Sequence, residues 1–387
     1  MSRQRQKRLR LGLGLVVCVC LAYTAGFGVY TLRNRVAAAW PATGSQEMEV
    51  FWEAWNHVED EFIGEVPSAT ARTYAAIHAS LALLDPHTVF VEPEPRALER
   101  ENLRGAYGGI GAEVARDAQG RIVLDPYADS PAERAGLTAG SILLAVDGRP
   151  LADDATESDV VSALRGEIGS QVELSVKLAT GGFLTTAIKR ERIEVPSVSW
   201  RLETPEIGYV QVERFTERTD GELVSALDAL GAEASGLVLD LRGNRGGLLD
   251  AAVAVASRFL QEGDAVLHQA GGGQKRTFRA ERAGDLDTSL VVLVDGDTAS
   301  AAEIVAGALQ DHKRAVVMGK PTFGKGSVQE IYDLSDGSSL HVTAAIWLTP
   351  NRHRINGVGL TPDIVVAPGG GQDDETLTRA VEYLESE

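Results

Sequence analysis

The apolar run Leu290-Val-Val-Leu-Val294 is followed by a short polar turn, a helix-patterned stretch from Ala301 to Gln310 and a second apolar run, Ala315 to Met318. Runs this short and this apolar fit strands buried on both faces, and a helix between two of them makes a crossover unit that sets them parallel. The same alternation comes earlier. Ile207–Val212 reads as a strand, Thr219–Leu230 as a helix, and Gly236–Arg242 as a buried strand, followed by an apolar helix reaching Leu260. The repeated unit predicts an α/β core on a mostly parallel sheet over residues 191–368.

Two turns of this core carry chemistry. Ser300 stands at the mouth of the Ala301–Gln310 helix, and a hydroxyl fixed at a strand-to-helix turn can serve as a nucleophile. It needs a base, and Lys325 on the following Gly-rich turn is the nearest candidate. Taken alone, Ser300-Ala-Ala-Glu303 reads more readily as a capping box than as a nucleophile turn, and a lysine between glycines as a solvated loop charge. The segments TASAAEI, ALQDHKRAVVMG and TFGKGSVQ together decide between them. In order and spacing they resemble the carboxyl-terminal processing (tail-specific) serine proteases. The resemblance implies that Ser300 and Lys325 form a catalytic dyad and that Gln329 orients the lysine.

Lysine has a reference pKa near ~10.4, so it can act as a base only where burial disfavours its charged form. Lys325 is therefore expected to be buried, close to Ser300 and free of any carboxylate partner. Gln329 is polar yet uncharged, which suits it to orient an amine. Four residues of straight strand span roughly 13 Å, so the contact needs a bend, expected at Gly326-Ser327. An oxyanion requires two N–H donors. Ala301, directly after the nucleophile, is one candidate. The Gly243–Gly247 loop is the other source, and the resemblance points to Gly246 or Gly247. Here Arg245 replaces the proline more common in the family, which leaves the loop less rigid and the choice of glycine open. No G-K-[ST] follows this loop, so it is not a phosphate cradle.

Residues 105–190 read as a small β domain that resembles a PDZ domain, through Tyr107-Gly-Gly-Ile-Gly-Ala-Glu-Val114 and SPAERAGLTAGSILLAVDG. Glycines at such a turn let several backbone N–H groups converge on a carboxylate, and the following strand can accept an extended peptide. Gly109, Ile110, Gly111 and Ala112 are the candidate peptide-binding residues. The resemblance further implies that this domain gates the protease. Upstream, residues 41–104 read as a helical region in which an amphipathic run, Tyr74 to Leu84, ends in a Leu84-Asp85-Pro86-His87 turn, with His87 a turn residue rather than a ligand. Residues 369–387 read as a glycine step into a short acidic helix.

The first forty residues stand apart. Five basic residues precede a charge-free run from Leu11 to Leu32 and two follow it, which predicts a membrane anchor or signal segment with a cytoplasmic amino terminus. The protein is then expected in the cell membrane as a single-pass protein, its body outside the cytoplasm. Both cysteines, Cys18 and Cys20, fall in this run, so the body has no disulfide and no thiol chemistry. The net charge is −18 although these forty residues carry no acid, so the body repels phosphate backbones and nucleic acid is not an expected partner. Asp285, Asp295 and Asp297 lack calcium-loop spacing. His312, His341 and His353 are scattered, and Asp240 with Arg242 reads as a structural pair.

The expected activity is a membrane-anchored serine endopeptidase acting on exported proteins with free carboxyl tails, with no metal or organic cofactor. Self-association into a homo-oligomer is left open. The competing reading is a non-catalytic peptide- or lipid-binding protein on the same fold, which would have no need of Ser300, Lys325 and Gln329 together.

Overall fold

A computed structural model describes residues 45–386, apart from 153, 232–233 and 367–373. The expected span at Leu11–Leu32, with its two cysteines, lies outside them. Among the described residues no helix is long and apolar enough to cross a membrane.

Contacts divide the chain into residues 1–73 and 74–387. In the first unit, helix Ser45–Glu61 presents Trp55 to Arg72, whose guanidinium lies 4.7 Å from the indole centroid and pairs with Glu59 at 2.6 Å. Cation–π contact and ion pair together hold the start of helix Ala69–Leu81 against this helix.

The second unit is built on a six-stranded sheet in the order Val198–Leu202, Ile207–Val212, Gly236–Asp240, Ser289–Val294, Val316–Gly319 and Ile364–Val365. All neighbours are parallel except the first pair; helices Thr219–Leu230, Leu249–Ala256 and Ala301–Asp311 supply the crossovers of the first three parallel pairs, and the last is reached through strands Ser327–Asp333 and Ser339–Leu348. Their apolar faces bury Leu223, Val253 and Val305 against one side of the sheet. Helix Glu375–Ser386 covers the other side with Leu377, Ala380 and Leu384. Arg242 fixes its approach, bonding Asp240 and Asp374 at once. Tyr209 donates to Asp240 at 2.8 Å, and burial together with that carboxylate pushes its phenol up to about 12.

A second, antiparallel sheet stands beside the first. Strand Ser339–Leu348 is its spine, pairing with Val89–Val91, Ser327–Asp333 and Ala265–Gly271, the last continuing into Gln274–Arg279. The helical reading of residues 41–104 passes over Val89–Val91, because three residues are too few to show alternation. The hairpin Ala265–Arg279 is likewise absent from the sequence reading.

The PDZ-like stretch enters and leaves through one ladder, Ala106–Gly109 antiparallel to Glu191–Glu194. Between them lies a sheet in the order Ala112–Arg116, Ile122–Pro126, Ser141–Val146, Gln171–Lys177 and Phe183–Lys189. Helix Glu157–Leu164 closes its core through Val160 and Leu164.

Candidate active site

Strand Ser289–Val294 ends in a turn that is tied on every side. Asp295 accepts from Thr298 N–H at 3.0 Å and from Gly243 N–H at 3.0 Å. The Thr298 hydroxyl donates to Leu241 O at 2.9 Å, and Ala299 N–H to Asn244 O at 2.9 Å. The turn delivers Ser300 in a backbone shape of φ +56°, ψ −117°, which non-glycine residues rarely adopt and which costs of order 1–3 kcal/mol. Capping residues are normally extended, so this is not an ordinary cap.

The Gly243–Gly247 loop is packed against that serine. A Cβ on Gly246 would lie 2.8 Å from Ser300 Cβ, and one on Gly247 would lie 2.0 Å from Phe215 O. Both positions require glycine for close approach. The two are not equivalent as donors. Gly246 N–H already donates to Asn244 Oδ1 at 2.8 Å, and the buried Asn244 is itself held by Val212 O. Gly246 thus fills the space behind Ser300 with its own N–H already engaged. Arg245, in the place of the family's proline, pairs with Asp297 at 2.8 Å on the exposed rim.

Ser300, Ala301, Gly247, Lys325 and Gln329 all line one cleft of about 380 Å3. Its apolar wall is Leu248, Leu249, Ile304, Val328 and Trp347. Lys325 has no carboxylate partner within ion-pair distance among the described residues. It is half-buried rather than buried, its side chain opening to the cleft. Gln329 follows a β-bulge at Val328/Gln329, so the irregularity comes two residues after the glycine where a bend was expected. Its amide nitrogen donates to the carbonyl of His87 rather than to the lysine.

A second groove lies in the β domain. Gly109, Ile110, Gly111 and Ala112 line it opposite Val161 and Leu164. Strand Ala112–Arg116 is an edge of its sheet, open for an added strand. Gly111 has φ +71°, and a Cβ there would lie 2.6 Å from Ser130 Cβ.

Residues 206–366 match peptidase family S41 and residues 122–178 match the PDZ domain. A carboxy-terminal-processing protease of Bartonella bacilliformis is 34% identical over 354 residues, covering 88% of this chain and 81% of that protein. The chain belongs to the carboxy-terminal processing proteases of family S41. A chloroplastic C-terminal processing peptidase of Tetradesmus obliquus is 35% identical over 372 residues, covering 86% of this chain and 80% of its own. The solved photosystem II D1 C-terminal processing protease is 33% identical, with TM-score 0.49, covering 87% of this chain and 97% of its own.

Two residues of this S41 protease escaped the sequence reading. Glu303 is fully buried, and beyond its capping role it gathers both turns. Oε2 accepts Ser300 N–H at 2.8 Å and Lys325 N–H at 2.9 Å; Oε1 accepts Gly324 N–H at 2.8 Å and the Thr322 hydroxyl at 2.5 Å. Four donors compensate a carboxylate that would otherwise be expensive to bury. The signal was a charge inside an otherwise apolar helical turn, Ala301-Ala-Glu-Ile-Val305. His341, set aside as scattered, lines the cleft, buried, with Nε2 3.4 Å from Glu99. Burial holds its imidazole below the ordinary value against the pull of Glu99. His312 and His353 lie elsewhere, near Asp264 and Asp311.

Proposed function

We propose that this S41 protease is a Ser–Lys endopeptidase that cleaves exported proteins after engaging their carboxyl tails. The observation that carries the reading is a strained serine held against the obligate Gly246, sharing its cleft with a lysine that no carboxylate neutralises. A substrate chain lying over the half-open lysine would complete its desolvation and favour the neutral amine. Neutral Lys325 then takes the Ser300 hydroxyl proton as Oγ attacks the scissile carbonyl. The developing oxyanion sits between the N–H groups of Ala301 and Gly247. The protonated lysine returns its proton to the leaving amine; water, deprotonated by the neutral Lys325 so regenerated, then attacks the acyl group, which leaves as the Ser300 oxygen takes that proton back. The apolar wall suits an uncharged residue at the cleaved bond, and the groove at Gly109–Ala112 suits the free tail.

Leu11–Leu32 would hold this body at the outer face of a membrane. Carbonate-resistant sedimentation that is lost on deleting residues 1–40 supports the anchor, and unchanged sedimentation of the deleted chain refutes it. The activity test compares the parent with Ser300→Ala and Lys325→Ala on an unfolded protein ending in apolar residues. Each variant is expected to lose at least about 10³-fold in kcat/KM. Equal cleavage by all three would overturn the dyad, and no cleavage by any, with binding of the tail retained, would favour the binding protein.

A further inference from the structure

The turn Asp85-Pro86-His87-Thr88 belongs to no part of the chemistry above, yet it bonds Gln329, which lines the cleft. Asp85 is its hub. Oδ1 accepts His87 N–H at 2.8 Å, Thr88 N–H at 3.0 Å and the Thr343 hydroxyl at 3.0 Å, while Oδ2 accepts the Thr88 hydroxyl at 2.6 Å. Thr88 Oγ1 in turn accepts Thr343 N–H at 3.2 Å. These bonds, that of the Thr88 hydroxyl foremost, hold the Asp85 carboxyl below its usual range. An Asx turn of this kind fixes the backbone two residues on. Strand Val89–Val91 then continues in register with Ser339–His341, so the turn cannot shift along the sheet.

What the turn fixes is the His87 carbonyl, and that carbonyl accepts the side-chain amide of Gln329. Thr343, which Asp85 and Thr88 both hold, is the cross-strand partner of Gln329. A glutamine amide has a donor end and an acceptor end. Once its nitrogen is bound to a carbonyl, the amide is held against flipping, and its oxygen is the end left to accept a hydrogen bond. An amine needs an acceptor for its N–H groups if its lone pair is to face a serine hydroxyl. We propose that the Asp85–Thr88 turn is a positioning element for the Lys325 amine, acting through the His87 carbonyl and the amide of Gln329. The inference rests on the reading of Ser300 and Lys325 as the dyad.

The test measures kcat and KM on one peptide for the parent, Asp85→Asn, Thr88→Val, Thr88→Ser, Gln329→Leu and the Asp85→Asn/Gln329→Leu double variant. Asp85→Asn and Thr88→Val are expected to lower kcat about tenfold or more with KM little changed, and Thr88→Ser to restore it. In the Gln329→Leu background Asp85→Asn is expected to add less than about twofold, because the path through the amide is already cut. The same loss with and without Gln329 would overturn the proposal, as would a raised KM at parental kcat. If Asp85→Asn does not fold, the Thr88→Val and Thr88→Ser pair, each repeated with Gln329→Leu, decides the same question. Ser300→Ala in the same assay separates the two levels. If it still cleaves, the dyad reading fails; if it is dead while the cycle is additive, only the positioning role fails.

Discussion

The two sheets hold their halves of the cleft in different ways. On the parallel sheet, Ser300 sits at the end of a strand whose turn is bonded through Asp295, Thr298 and Asn244, with glycine backbone pressed against its Cβ. On the antiparallel sheet, Lys325 precedes the strand Ser327–Asp333, and its main chain is pinned while its side chain is not. Its N–H donates to Glu303, and its carbonyl accepts the indole N–H of Trp347 at 3.2 Å. Ser300 is fixed together with its backbone; the Lys325 amine keeps four rotatable carbons. In the proposed reaction a flexible amine can settle as substrate arrives, whereas an attacking oxygen must be held in place. Glu303 joins the two sheets, since one oxygen receives an N–H from each side.

Removing that link should have the largest effect. Glu303→Gln turns an amide donor towards N–H groups that need an acceptor, and is expected to lower unfolding free energy by about 3 kcal/mol in denaturant titration, with activity falling to background. Gly246→Ala attacks the serine side alone. Its methyl meets Ser300 Cβ, so kcat should drop about 10²-fold, read by steady-state kinetics. If this variant is instead fully active, the serine turn is not the rigid half. In the remote groove, Gly111→Ala is expected to erase about tenfold of any preference for a free tail over an amidated one, leaving cleavage of the amidated peptide unchanged.

The smallest effect concerns acid stability on the antiparallel side. His341 faces Glu99 and Asp333, which favour its charge, and Arg96 and Lys325, which oppose it; burial dominates and its folded value is lowered. The folded protein then binds fewer protons than the unfolded chain. Stability from neutral His341 is complete above about pH 6.5 and is lost as pH falls through the lowered value. His341→Gln should flatten that acid limb in melting curves; an unchanged limb would exclude His341 as its source.

The same contrast governs what could be read in advance. The parallel sheet announced itself because strands buried on both faces are continuous apolar runs, such as Leu290–Val294 and Gly236–Asp240. The antiparallel sheet was fragmentary, since Val89–Val91 is three residues long and Gln274–Arg279 is mostly charged or polar. Ser300 and Lys325 were legible as a constellation. The bond from Gln329 to His87 spans 242 residues, and no local pattern reports it. Glu303 looked like a cap because three-residue spacing is all that a cap needs, and the reach of its other oxygen depends on the fold of the Thr322–Lys325 turn. The acidic tail helix hid its function similarly, for Leu377, Ala380 and Leu384 form a narrow stripe on a charged cylinder.

The φ of +56° at residue 300 has an evolutionary side. Glycine would adopt that shape without strain, so Ser300→Gly should yield a silent protein that unfolds at higher denaturant than its parent. Physical selection for sturdiness therefore pushes against the hydroxyl at every generation. A lineage that stopped needing to cut would be expected to shed this serine early, while the surrounding architecture survived intact.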